Sequence, residues 1–277
     1  MANKVIYYSD PLHDDFAQNT IQTCKVDETF PFAPQSFLWR IASNLVYYGV
    51  AIPIVFLICK LYLGVRFENH KALSKLRKSG YFLYGNHTRA LDAFLPAVSA
   101  WPKRAYIVAN PDAVSIPGLK TLVRLIGCLP IPTEAKALPL FLDAITTRCQ
   151  EKSCIGIYPE AHIWPFYTGV RPFPTTSFRY PVKENVPAVA MAVTYRKRKG
   201  LFFWAKRPGM TLTFSQPFYP DQTVSLRQAR QALRDQVYNF MCDTAARPDN
   251  VVYIRYEKRA EQKPFDSQLH AMQTNSN

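Results

Sequence analysis

The sequence predicts an α/β fold, a mixed and partly parallel sheet flanked by helices, led by an apolar helical segment that associates with a membrane. Three observations predict it. Apolar runs of strand length recur at residues 81–84, 104–109, 153–158 and 188–194. Between most of them lie stretches whose apolar residues return every three or four positions, and that alternation favours βαβ units over a meander. Residues 45–59 carry no charge at all.

In chain order, residues 1–34 form a polar, turn-rich arm with acids at Asp10, Asp14, Asp15, Asp27 and Glu28 and no apolar signal-peptide core. It is expected to be loosely structured and to lie over the rest of the protein. Residues 35–66 are the apolar helix or hairpin. A bilayer span takes about 20 apolar residues, a length this segment reaches only if Lys60 snorkels, and Pro53 sits in its middle. Dipping into one leaflet, spanning and burial as a core helix all stay open. Residues 67–257 form the main domain and residues 258–277 a polar tail. Within the domain, residues 68–79 read as a short basic amphipathic helix and 90–100 as the helix after the first strand. Helices are expected at 115–126, 135–152 and 220–246, the last capped by Asp221. Further strands are expected at 127–132, 201–204, 212–214 and 251–256.

The formal charge of +14 in 277 residues points to an anionic partner. Without a nucleic-acid-binding motif, and with an apolar run to explain, membrane lipid fits better than nucleic acid. Six cysteines without a C-x-x-C pair read as free thiols in a reducing compartment, so the membrane face is the cytoplasmic one. Five histidines argue against a multi-histidine metal centre.

The chemistry centres on residues 81–92, Y-F-L-Y-G-N-H-T-R-A-L-D. Gly85 and Asn86 break a buried strand, His87 follows, and Asp92 stands five positions on. An imidazole titrates near working pH, and a carboxylate can hold one ring nitrogen while the other takes a proton. His162 follows another strand and competes for the role of base, but only His87 has a carboxylate at this spacing. In open α/β sheets ligands bind beyond the carboxyl ends of strands, so His87 and Glu160, each just after an apolar strand, are expected over one sheet edge.

N-H-x-x-x-x-D after an apolar strand resembles the first motif of the glycerolipid and lysophospholipid acyltransferases. Residues 155–160 (I-G-I-Y-P-E) resemble the family's third motif, and 185–193 (N-V-P-A-V-A-M-A-V) its last apolar strand. The resemblance runs from about residue 66 to 219. It implies an O-acyltransferase of the 1-acylglycerol-3-phosphate acyltransferase type. Acyl-CoA or acyl carrier protein would be the co-substrate donor, a lysolipid the acceptor, and no other cofactor or metal would be needed. His87 would be the general base oriented by Asp92, and Asn86 or a backbone N–H would face the oxyanion. The family's second and third motifs carry arginines that hold the acceptor phosphate. Here Pro132 and Thr133 follow Ile131, and Ala161, His162 and Ile163 follow Glu160. Arg89 and Arg171 are the nearest substitutes. The altered third motif also leaves open a non-catalytic lipid-binding protein of the same fold. The run 196–199 reads either as an exposed hairpin turn or as a dock for an anionic donor.

Overall fold

The computed structural model describes residues 4–17, 21–199 and 207–259. In chain order the strands are β1 (Lys4–Tyr8), β2 (Arg66–Glu68), β3 (Tyr81–Gly85), β4 (Ala105–Ala109), β5 (Cys128–Pro130), β6 (Cys154–Ile157), β7 (Ala188–Arg196), β8 (Gly209–Phe214) and β9 (Ile254–Lys258). The helices are α1 (Phe37–Tyr62), α2 (Leu95–Ala100), α3 (Lys120–Leu125), α4 (Leu138–Gln150), α5 (Arg179–Glu184) and α6 (Leu226–Ala245). Among the described residues, seven strands form one sheet in the order β2-β8-β7-β3-β6-β4-β5, all parallel except the β7–β8 pair. The α/β class, the mixed sheet and the apolar helix are as the sequence predicts.

The central strand β3 is buried along its whole length, as a parallel strand covered on both faces must be. Tyr81 and Leu83 enter one core layer with Val189, Met191, Leu212 and α2's Leu95. Phe82 and Tyr84 enter the other, with Phe141, Phe178, Val182, Leu233 and Val237 from α4, α5, α6 and the turn before α5. Period-two alternation therefore assigns each β3 residue its layer.

The helix α1 is unbroken and passes through two π segments, Leu45–Ala51 and Ile58–Tyr62. Ser43, Tyr47, Val55, Cys59 and Leu63 are buried and Ala51 is half-buried, a spacing of four residues throughout. An ideal α-helix turns every 3.6 residues, so such a stripe would drift by roughly 40° per repeat. The wider π turns cancel the drift and hold one face against the domain. Pro53 is the second residue of the α turn that follows the first π segment, so the residue that has no N–H to give the preceding turn sits where the winding changes. Hydrogen bonds pin the helix down: Ser43 Oγ donates to the Leu125 carbonyl at 2.7 Å, and the Ala105 N–H donates to Tyr47 Oη at 2.9 Å. Phe37, Leu38, Ile41, Leu45, Phe56 and Leu57 point outward and are exposed.

The N-terminal arm carries more structure than its polar composition suggests. Its strand β1 pairs in parallel with β9, and Val26, Phe30 and Phe32 are buried in the main core. The polar stretch 68–79 holds a 3₁₀ turn, His70–Leu76, in place of an amphipathic α-helix. The cap of α6 is Ser225, in a capping box with Gln228, while Asp221 accepts from Thr223 in the preceding turn. The strand expected at 201–204 and the tail beyond 259 lie outside the described residues.

Gly127 precedes β5 with φ +103°, and a Cβ there would lie 2.6 Å from the Ala105 carbonyl oxygen. Gly127→Ala should therefore cost on the order of 2–3 kcal/mol, read as a lower denaturant midpoint at unchanged m-value.

Candidate active site

Adjacent parallel strands end at one edge of the sheet. Because β3 pairs with β6 in register Tyr84↔Ile157, the segments that follow them emerge side by side. Two buried carboxylates organise that edge.

Asp92 lies in the 3₁₀ turn Ala90–Phe94 and is fully buried. Its Oδ2 accepts the backbone N–H groups of Thr88 and Arg89, each at 2.7 Å, and Thr88 Oγ1 at 3.2 Å. These bonds fold the His87–Asp92 stretch into a tight loop and aim Asp92 at the imidazole. His87 Nδ1 lies 3.5 Å from Asp92 Oδ2, with 14% of the His87 side chain exposed. His87 Nδ1 and Asp92 Oδ1 are both buried without hydrogen-bond partners, so a small rotation of either group would join them. Open catalytic hydrogen bonds of this kind commonly tighten only when substrate binds.

Glu160 holds the second loop. Its Oε2 accepts the His87 N–H at 3.2 Å and Arg171 Nη2 at 3.2 Å, and its Oε1 accepts the Arg171 N–H at 3.0 Å. Burial raises the Glu160 carboxyl above the ordinary range, while Arg171 and the two backbone donors pull it down. The loop after Glu160 then runs beside the His87 loop, with Trp164 N–H donating to the His87 carbonyl and Phe166 N–H to that of Thr88.

Tyr158, the last residue before Pro159 and Glu160, stacks on His87 with ring centroids 4.6 Å apart and donates its hydroxyl to the Asp92 carbonyl. Burial drives its pKa well up, so the phenol stays a neutral donor. The stacking needs Gly85, because a Cβ there would fall 2.7 Å from the Tyr158 ring. Nothing in the sequence reading assigned Tyr158 a part. The signal was its position, an aromatic at the end of the strand next to β3. Tyr195, which donates to Thr88 Oγ1 at 2.7 Å, was likewise invisible before the β7 register was known.

Of the expected site residues, His87 and Asp92 meet, and Glu160 joins the same edge. Two expectations need correction. Asn86 does not face an oxyanion position: its side-chain carbonyl accepts the Val193 N–H at 2.7 Å and its amide donates to the Val193 carbonyl at 3.1 Å. It bolts β3 to β7. Arg171 is fully buried, occupied by Glu160, the His162 carbonyl and the Trp164 ring, and has no reach toward a substrate phosphate. Glu160, equally enclosed, holds the two loops together. His162 lies 3.6 Å from Asp15 of the N-terminal arm.

Arg89 differs from Arg171. Its guanidinium lies over Phe166 at 4.9 Å and Tyr62 at 5.7 Å, and its Nη1 is buried with no partner. Arg207 stacks on the same Tyr62 at 4.8 Å. The run 196–199 is neither a free turn nor an open dock throughout. Arg196 donates to the Gly64 carbonyl, and Arg198 to the carbonyls of Leu61 and Tyr62, so both grip the end of α1; Lys197 and Lys199 stay exposed.

An apolar cavity of about 380 Å³ opens beside the His87 loop at Ala90 and Ile163. It runs between α1 and the sheet, past Ala93, Ala97 and Val55, toward Ile126 and Cys128. All six cysteines are free thiols.

Glu160→Gln leaves the Arg171 guanidinium buried without a counter-charge and turns an NH2 donor toward groups that are themselves donors. Destabilisation of about 3–5 kcal/mol is expected, measured by chemical denaturation.

A family model and a solved structure are similar to this chain. The acyltransferase family model matches residues 64–194, which hold the His87–Asp92 loop, Glu160 and most of β7. The crystal structure of the 1-acyl-sn-glycerophosphate (LPA) acyltransferase PlsC from Thermotoga maritima is similar at 16% identity. That match covers 76% of this chain and 96% of that one, with a TM-score of 0.49. No curated protein sequence matches the chain significantly.

Proposed function

We propose that this protein transfers a fatty acyl group from acyl-CoA or acyl carrier protein to a hydroxyl of a lysophospholipid or related lipid, at a membrane surface. One observation carries the reading: an imidazole 3.5 Å from an anchored, fully buried carboxylate, beside an apolar cavity that can take a hydrocarbon chain.

In the proposed step His87 takes the proton of the acceptor hydroxyl, whose oxygen attacks the thioester carbonyl carbon. Asp92 stabilises the imidazolium that forms. Collapse breaks the C–S bond, and the thiolate leaves with the proton from His87. The thioester is already activated, so no acyl-enzyme is required. Since Asn86 is spent on Val193, the oxyanion must be met by a backbone N–H or by the polarised reaction site itself.

The acyl chain would lie in the cavity beneath α1, with its carbonyl at the His87 end. The exposed apolar face of α1 would rest on the membrane, its inner face being already committed to the domain along its length. Lysolipid would then enter at the Tyr62 end of α1, where Arg89 offers an unpaired buried nitrogen to an anionic headgroup. That places anion recognition on the first-motif loop, in the stead of the arginines missing after Ile131 and Glu160.

His87→Ala should lower acyl transfer by about a hundred- to ten-thousandfold in correctly folded protein. Equal turnover by the variant sinks the role of His87, and no turnover by the unaltered protein with a panel of lysolipids and both donors favours a lipid-binding protein instead. Ala93→Phe narrows the cavity near its reactive end. The ratio of kcat/KM for long over short acyl donors should drop by about tenfold or more.

A further inference from the structure

A second cavity lies at the opposite edge of the sheet from His87. It holds about 420 Å³ and is bordered by the residues that precede β4 and β6, by the N-terminal arm and by the first turns of α1. Four arginines line it, Arg40, Arg104, Arg124 and Arg148, against a single lining carboxylate, Glu151. The acyl-transfer site uses none of them.

Arg104, Arg124 and Arg148 are held in place largely by neutral groups, and Arg40 is exposed. Arg104 donates to Asn44 Oδ1 at 2.9 Å, to Ser43 Oγ and to the Leu125 carbonyl at 2.6 Å. Arg124 donates to the Pro31 carbonyl at 3.2 Å and stacks on Trp39 and Phe30 at 4.7 and 5.1 Å. Arg148 shares one nitrogen with Glu151, lies 4.4 Å from the Tyr106 ring centroid and keeps only 9% of its side chain exposed. The Nε–H groups of Arg104 and Arg148 are buried without partners. Among the described residues, no carboxylate forms an ion pair with Arg40, Arg104 or Arg124. A cavity walled by preorganised, under-neutralised guanidinium groups favours an anion with several acceptor oxygens.

The mouth names the source of the anion. Trp39, Arg40 and Tyr48 border the cavity from α1, and Phe37, Leu38, Ile41 and Leu45 of the same turns are exposed and apolar. A phosphate entering here arrives with room for its hydrocarbon tails along the outer face of α1, and Trp and Tyr suit that boundary.

We propose that this arginine-lined cavity binds the phosphate of an anionic membrane phospholipid, as a second lipid site separate from the acyl-transfer centre. The site anchors the start of α1, while the Tyr62 end reaches the reaction centre. Arg104 joins the cavity to α1 through Ser43 and Asn44, so an occupied site also stiffens the wall of the apolar cavity beneath the helix.

The proposal does not rest on catalysis, and its test reads binding alone. The full chain is titrated by calorimetry with dihexanoyl phosphatidic acid below its micelle concentration, with dihexanoyl phosphatidylcholine and with glycerol 3-phosphate. Phosphatidic acid should bind about tenfold more tightly than phosphatidylcholine. Arg40→Gln/Arg148→Gln should remove that preference, whereas Lys71→Gln/Lys78→Gln, which loses the same charge from exposed positions, and His87→Ala should keep it. Arg40→Gln alone alters only an exposed side chain, leaves the core intact and should by itself weaken phosphatidic acid measurably. Wild-type affinity in both arginine variants overturns the site. Glycerol 3-phosphate binding as tightly as phosphatidic acid overturns the lipid source.

Discussion

The Glu160 carboxylate is the constraint on which the sheet edge at His87 depends. A buried acid must be neutralised or hydrogen-bonded, and this one collects the backbone N–H of His87, the backbone N–H of Arg171 and the Arg171 guanidinium. It draws together two loops that the chain separates by more than seventy residues. The β3–β6 register brings those loops side by side, and Glu160 sets their spacing. Tyr158 follows from the same placement, being carried two residues ahead of Glu160 onto the face of the imidazole. The price is that Arg171 becomes an internal counter-ion.

The apolar helix answers to a different constraint. It presents one face to the domain and an equally apolar face outward, and composition cannot distinguish the two. The spacing of four does so, and the backbone pays no penalty of register because π and α turns alternate. A helix bound to its domain at Ser43, Tyr47, Val55, Cys59 and Leu63 has no free side with which to pass alone through a bilayer, which favours a resting position along the surface.

Much of this was legible in residue order. The strands carrying His87 and Glu160 announced themselves as apolar runs with abrupt ends, because a parallel strand buried on both faces has no polar side. The His87–Asp92 pairing was legible because loop closure over five positions is local. What stayed hidden depends on long-range partners. Asn86 looked like an oxyanion donor until Val193, 107 positions away, claimed both ends of its amide. Arg171 looked like a free cation because its partner faces it only after two loops have folded. The arm from residue 1 to 34 looked loose because polar composition conceals Val26, Phe30 and Phe32, three apolar residues enough to dock it. The arginine cavity had no sequence signature, since its members come from α1, α3, α4 and the approach to β4.

The distribution of unneutralised arginines leads to the last step. Some buried or half-buried guanidinium groups here are answered by a carboxylate, and others only by neutral groups and rings. Arg171 belongs to the first group, and a site residue of the first group cannot also greet an anionic headgroup without stranding Glu160. Arg89, Arg104 and Arg124 belong to the second. They stand toward opposite ends of α1, beside Tyr62 at one end and around Trp39 at the other. A helix whose outer face is apolar, flanked at either end by cations held ready on aromatic rings, is matched to a lipid surface in both of its parts: hydrocarbon along the middle and phosphate at the ends. On that physical ground the anion-recognising role we propose falls not on the motif positions that lack their arginines but on the two ends of the apolar helix.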